Sequence, residues 1–565
     1  MMGEIKMTTN DTKLMSLTRR TALGVGVAAL TTPSVTAFAD APGLLITGGP
    51  IYTGVGNGER VEAVVTRGDR IVFAGPLAGA RAMAGGAREI DLAGAAAYPG
   101  FVDCHCHLTE LGLATMTLDL VGTGSIAELQ SRLRTWAGQN PAGPIVGRGW
   151  IETHWPEHRF PTKADLDSVV SDRPVLLERA DGHAVVVNSK TLEVAGISAS
   201  TANPAGGEYL RDGASAPNGM VIDNALGSVW RIFPEPDAAK HLEANIRADK
   251  LYRSRGWTGV HHMSVSQTDL DILRAMAGRD ALGLRVDNYM DVDSAAEVFA
   301  TGPSADPTGR VRLRGIKLYA DGALGSRGAL LLAPYSDRPG SSGLVRTPVD
   351  VMAGYMQKAK AANAQVAVHA IGDGGNRNAL NAMAQVLGEG HTDRRWRIEH
   401  AQVLSPQDLP RFAAMGVTAS MQCSHAIGDL YFAPARLGDE RLKGAYAWRT
   451  LLKSGALVAG GTDAPVEKGD PLIEFYAAVY RHSLDGFAAA DWGLDETLSR
   501  AQALALYTRS AAKAIGREHD LGTLEVGKKA DITVFSKDLM TVEPAEILKA
   551  KARMTVIAGR VTYEG

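Results

Sequence analysis

The stretch VDCHCHL, Val102–Leu108, sets two cysteines and two histidines on alternating positions. Either pair could ligate zinc, which accepts thiolate and imidazole alike. The same pattern suits a strand with small residues on one face. Because side chains alternate across a strand, Asp103, His105 and His107 share one face, and Cys104 and Cys106 share the other. Pro99-Gly100 marks the start of the strand, so the histidines fall near its C-terminal end. Residues i and i+2 stand about 7 Å apart at Cα. Two imidazoles leaning together then reach a single ion at about 2.0–2.1 Å. A zinc site that also used Cys104 and Cys106 would need all four side chains on one side, so the cysteines read as small packing residues.

Further polar residues close later apolar runs. Lys317 lies in GIKLYADGALGS, His369 ends QVAVHA, His400 ends RIEH and Asp463 follows LVAGGT. A lone polar group in such a run is costly to bury. A single histidine there is usually a satisfied core residue. Four histidines, a lysine and an aspartate at the ends of successive strands point instead to a metal centre. Around it stand candidates for substrate contact. Arg179, Asp181 and His183 follow a strand in RADGHAVVV. His425, in MQCSHA, follows a later strand, and Arg327, in ALGSRGAL, offers either an anion anchor or a structural ion pair. His261 and His262 read as structural. Trp150 and Trp155 line a pocket or pack together.

These residues need a frame. Apolar β runs stand at 101–107, 258–262, 284–290, 314–319, 365–370, 395–401, 416–422 and 456–462, with helical patterns at 269–278, 350–363, 376–388 and 405–416 between them. The last is expected to open on a capping box of Ser405 and Asp408, with Pro406 at its first position. Strands alternating with crossovers predict an α/β fold, a (β/α)₈ TIM-like barrel, whose C-terminal strand ends carry the active site. Two β runs at 144–150 and 173–187 mark residues 110–250 as a large insertion after strand 1. Runs at 44–54, 62–75, 529–536 and 553–565, with a hairpin turn at Gly68-Asp69, suggest one small β domain built from both chain ends.

Bulk composition agrees with a globular chain. Among 565 residues 45% are hydrophobic, and the formal charge is −3. No basic patch suggests nucleic acid. The first residues read differently. Thr18-Arg19-Arg20, an apolar run over 22–30 and Ala37-Phe38-Ala39 resemble a twin-arginine export signal, predicting a periplasmic or secreted protein. The run is shorter than the roughly 20 residues of a membrane span, and no span is expected in the mature protein. Three cysteines in an exported chain argue against a disulfide framework.

Taken together, PGFVDCHCH, KLYADGALGS, RADGHAVVVNS, VAVHAIGDGGNR, RIEHAQ, GGTDAPVE and LGTLEVGKKADITVF resemble the amidohydrolase superfamily, within it the amidohydrolase-3, YtcJ-like metal-dependent hydrolases. The resemblance runs over about residues 44–565. It implies a barrel over 99–515 and a composite β-sandwich from 40–98 and 516–565, which follow the signal peptide read over 1–39 from its own residues. It also implies a role for each site residue. His105, His107 and Asp463 bind one metal, and His369 and His400 bind the second. Lys317, N6-carboxylated by carbon dioxide, bridges two divalent ions, zinc foremost among Zn, Mn, Fe, Co and Ni. The rival is an amine at Lys317, paired with Asp321, and a single ion.

The expected reaction is hydrolysis of an amide-type C–N bond, in an N-acyl amine, N-acyl amino acid or carbamate, by a metal-bridging hydroxide whose proton passes through Asp463. Hydrolysis of a cyclic amide or an ester on the same centre, or a non-catalytic binding protein that keeps the barrel, are the alternatives. The expected partner is a small-molecule substrate, with a homodimer left open. Where the family often carries proline, this chain has Cys423, which puts the local loop shape in question.

Overall fold

The structure, a computed structural model, describes residues 43–565 apart from 153–154, 181, 183, 205–206, 214–215, 224, 235 and 489–491. The expected signal segment lies outside the described residues, as do Asp181 and His183. No helix among the described residues is long and apolar enough to cross a membrane.

The frame is a parallel barrel of β1 (Phe101–Cys106), β2 (Trp257–Val265), β3 (Arg285–Asp291), β4 (Val311–Tyr319), β5 (Gln365–Ala370), β6 (Arg397–His400), β7 (Thr418–Gln422) and β8 (Val458–Gly461). Each strand pairs in parallel with the next in chain order. The strands are apolar on their outer face because helices cover it. Those helices include Gln267–Gly278, Val349–Ala361, Asp373–Leu387 and Pro471–Tyr480, and their buried side chains join a core with residues such as Val286, Ile316 and Ile398. Inside the barrel, Met263, Tyr289 and Ala367 form a small separate cluster.

The barrel closes where β8 meets β1. The Asp463 N–H donates to the His105 carbonyl at 2.6 Å and the His107 N–H to the Ala464 carbonyl at 2.8 Å. Asp103 staples the seam: its carboxylate accepts from the Thr462 N–H (2.9 Å), the Thr462 hydroxyl (2.7 Å) and the Tyr252 hydroxyl (2.9 Å). Such an approach leaves no room for a side chain at Gly461, the last residue of β8. A Cβ on Gly461 would stand 2.4 Å from the His105 nitrogen, and one on Gly460 would stand 2.5 Å from the Tyr507 ring, which together account for the two glycines of GGT.

One expected local signal is corrected. Helix Leu409–Met415 begins after Asp408, whose side chain caps nothing. Asp408 is drawn off by Arg377 (2.9 Å) and Arg411 (3.2 Å), so the capping box from Ser405 does not form.

Between β1 and β2 the insertion builds its own sheet, in the order 207–211, 217–223, 184–187, 175–179, 145–150, 118–119. Apolar clusters bury it on both faces. Trp150 and Trp155 pack inside it and donate their indole N–H groups to the Leu177 and Thr123 carbonyls.

Strands from the two chain ends share a sheet, Ile532–Phe535 running antiparallel to Ala96–Pro99. A second sheet over 44–47, 63–67, 70–75 and 88–91 packs on it through Ile46, Val64, Ile532 and Val556. A buried ion pair fastens this unit to the barrel: Arg285, opening β3, donates to Asp531 at 2.6 and 3.0 Å. Burial opposes the charge on Asp531, but Arg285 outweighs it and holds the carboxyl below its ordinary range.

Removing one partner of such a pair strands the other charge, at a cost of about 3–5 kcal/mol. Asp531→Ala should therefore lower the urea midpoint strongly, and Arg285→Met with Asp531→Ala should recover most of the loss. Because the folded-state pKa of Asp531 is depressed, its contribution is present above the unfolded carboxylate value of about 3.9 and lost as pH falls through the lower folded one. The wild-type advantage over the double variant should shrink across that acid window.

Candidate metal centre

The C-terminal ends of β1, β4, β5, β6 and β8 bring the expected residues together. His105 Nε2 lies 3.2 Å from Asp463 Oδ1, and His107 Nε2 lies 3.3 Å from the same oxygen. Lys317 Nζ stands 3.3 Å from His105 Nε2. The His400 ring is 4.9 Å from that of His105 and 4.6 Å from that of His369, centroid to centroid. His105, His400 and Asp463 each offer a ligand atom within 4.8 Å of the others. Asp463 reaches this position in a left-handed conformation, φ 61°, and His400 does the same at φ 71°. Both are uncommon for residues with a Cβ and accompany functional sites.

The donor set fits a cation. His105, Lys317 and His400 are buried, and the imidazoles of His369 and His400 are held in the neutral form that ligates metal. Burial, reinforced by Lys317, lowers the pKa of His369 to about 3. Burial and then His369 hold His400 well below its ordinary value. Burial also disfavours the charge on Asp463, but the facing imidazole of His105 prevails and keeps the carboxyl well below its usual range. Imidazole nitrogens and one carboxylate thus converge beside the buried Lys317 amine.

Two tautomers are set from behind. His105 Nδ1 lies 2.7 Å from Glu399 Oε2, and His400 Nδ1 lies 2.8 Å from Gln422 Oε1. Each acceptor takes an Nδ1–H and leaves Nε2 free for a metal, the usual role of an outer partner. Glu399 is in turn clamped by Arg397 at 2.5 Å. Burial raises the Glu399 carboxyl, yet Arg397 overrides it and keeps it ionised. Nothing in the spacing singled out Arg397, Glu399 or Gln422. The signal was two charged residues inside the apolar strand RIEH.

Other expected residues divide. Asp103 shares a strand with the histidines but serves the seam, and burial raises its pKa to about 6 against the hydrogen bonds it accepts. Cys104 and Cys106 are buried and free, away from the site. His425 does join the site. Its Nε2 is 3.7 Å from Asp463 Oδ2, and its ring stacks on His400 at 5.8 Å. Helix Cys423–Asp429 carries it, anchored by the Cys423 N–H on Glu474 at 2.9 Å. That anchor is how the chain builds the loop without proline.

Arg327 forms a two-pronged ion pair with Asp337, at 2.9 and 3.2 Å, so the structural alternative describes it. Arg179 is likewise engaged by Glu152 inside the insertion, at 2.9 and 3.2 Å. No ion pair joins Lys317 to Asp321 among the described residues. Asp321 instead accepts the N–H groups of Leu330, Ile371 and Gly372 at 2.8–3.0 Å. Burial lowers the Lys317 amine to about 8, against the pull of Glu399 and Asp463.

Comparison with known proteins follows the same lines. The model of the amidohydrolase family matches residues 88–563. YtcJ of Bacillus subtilis (strain 168) is 34% identical over 537 residues, spanning 92% of this chain and 98% of its own. N-substituted formamide deformylase of Arthrobacter pascens is 27% identical over 89% of this chain and 95% of its own. Among solved structures, an uncharacterized metal-dependent hydrolase from Pyrococcus furiosus aligns with a TM-score of 0.72 at 31% identity, covering 88% of this chain and all of that one. This chain belongs to the amidohydrolase family and is a hydrolase.

Proposed function

We propose that the protein is a metal-dependent amidohydrolase that cleaves an amide-type C–N bond in a small molecule, such as an N-acyl amine, N-acyl amino acid or carbamate. The observation that carries the reading is the convergence of His105, His107, Lys317, His369, His400 and Asp463 at one end of the barrel. The similarity to a formamide deformylase supports the bond class. His105, His107 and Asp463 would hold one divalent ion and His369 and His400 a second, with zinc first among the metals suited to these donors.

Lys317 would bridge the two as its N6-carboxylate. An ammonium in this position would face an imidazole nitrogen at 3.3 Å beside a bound cation. Loss of one proton frees the amine, and addition of carbon dioxide with loss of a second replaces that positive charge with an anionic oxygen ligand. The engagement of Asp321 by three backbone N–H groups supports this reading over a Lys317–Asp321 pair.

Bound divalent ions supply Lewis acidity to the substrate carbonyl and make the attacking water more acidic. Asp463 takes the proton of that water and passes it to the leaving nitrogen. His425, 3.7 Å from Asp463 Oδ2, would contact the substrate or the leaving group. Asp181 and His183 stay candidates for substrate contact, whereas Arg179 is held by Glu152. The same reading has the chain exported by the twin-arginine route through residues 18–39, which suits a protein loaded with metal before transport.

Asp463→Asn should keep its metal but lose turnover by about 10²–10⁴-fold, the usual worth of a general base. Near-normal kcat with intact metal would remove that role. Metal analysis of the purified protein should find two equivalents of divalent ion. A chelator should abolish cleavage in a screen of N-acyl amines and N-acyl amino acids, and added zinc should restore it. Metal-free protein that still binds such ligands would favour a binding protein instead. For export, mass spectrometry of periplasmic protein should find a chain that starts at Asp40, and intact cytoplasmic protein would contradict it.

A further inference from the structure

His261 and Asp287, which line one small cavity, each carry a buried polar atom without a hydrogen-bond partner, Nε2 and Oδ1. The cavity measures about 10 Å³ and lies at the base of the barrel, between Val102, Gly259 and Arg285 on β1, β2 and β3 and Ala512 beneath. The sheet register pairs His261 of β2 with Asp287 of β3, so the two residues are neighbours across adjacent strands. Orphaned buried polar groups are uncommon in native proteins and usually mark an ordered water. A cavity of this size is close to that of one water probe.

The chemistry of the two atoms is complementary. Arg397, permanently protonated, donates to His261 Nδ1 at 2.8 Å, so the ring hydrogen of neutral His261 sits on Nε2. Asp287 Oδ1 is an acceptor whose nearest cations, Arg312 and Arg314, stand 3.7 and 3.8 Å away. Above His261, Arg397 holds Glu399, and Glu399 holds His105 Nδ1.

We propose that one water occupies this cavity, accepting from His261 Nε2–H and donating to Asp287, and that it completes a hydrogen-bonded chain that fixes the ligating orientation of His105 from the base of the barrel. His261 and Asp287 are then positioning residues for the metal centre, although neither touches it. This role rests on the metal reading above.

A crystal structure of the holoenzyme that resolves ordered water should show one molecule at about 2.7–3.2 Å from both His261 Nε2 and Asp287 Oδ1. An empty cavity, or direct contact between the two side chains, would overturn the proposal. This test is read in wild-type density whatever the metal content, so a metal-free protein would refute the metal reading without deciding the water. In solution, zinc dissociation against a chromophoric chelator separates positioning from packing. His261→Phe removes both hydrogen bonds and should weaken retention of the tighter ion by about tenfold or more. His261→Gln keeps an acceptor for Arg397 and a donor for the water, and should stay near wild type. Equal loss in both variants, or no loss in the Phe variant, would overturn the role. Should the Phe variant not fold, Asp287→Leu against Asp287→Asn makes the same comparison from the other end of the chain.

Discussion

The seam between β8 and β1 is the contact on which the site depends. Closing a parallel barrel there brings the residue after β8 against the histidines that end β1. The backbone bond from Asp463 to the His105 carbonyl and the staple of Asp103 on Thr462 fix the distance at which the Asp463 carboxylate faces His105 and His107. Gly461 permits the approach, since any Cβ would collide with the His105 backbone. If the seam opened by an ångström or two, the donor atoms would no longer share a centre.

A second constraint is electrostatic. The barrel interior buries Arg397, Glu399, Lys317 and Asp463 together, in surroundings where an unpaired charge is expensive. Arg397 and Glu399 neutralise each other, and their outer bonds reach Ser420, the Cys104 carbonyl, His261 and His105. That leaves the imidazoles, the Lys317 amine and Asp463 to gather at the mouth. The same pair that makes the interior tolerable for charge therefore orients a ligand, joining stability to function in one network.

Much of this was legible in the sequence. The apolar runs at 365–370 and 416–422 became β5 and β7, and the alternation in VDCHCHL separated histidines from cysteines as the strand does. What the sequence concealed were contacts across long separations. His105 and Glu399 are 294 positions apart, and no local periodicity announces their bond. Asp103 shares a face with His105 by period, yet the seam takes its carboxylate, because β8 brings Thr462 alongside from 359 positions away in the sequence. The capping box at Ser405 failed for a similar reason: Arg377, on another helix, competes for Asp408. The two-residue strand at 118–119 is too short to leave a pattern. Arg327 and Arg179 carried the right chemistry for an anion, but whether an arginine meets a substrate or a neighbouring carboxylate is decided only by the folded chain.

The central claim is that six side chains from five strands grip divalent ions at the barrel mouth. Anomalous diffraction from a crystal of the protein as purified tests it most directly. The account predicts two anomalous peaks between His105, His107, Lys317, His369, His400 and Asp463, with electron density continuing past Lys317 Nζ as a carboxylate. A mouth without anomalous signal in protein that still hydrolyses an amide, or ions bound elsewhere on the chain, would contradict it.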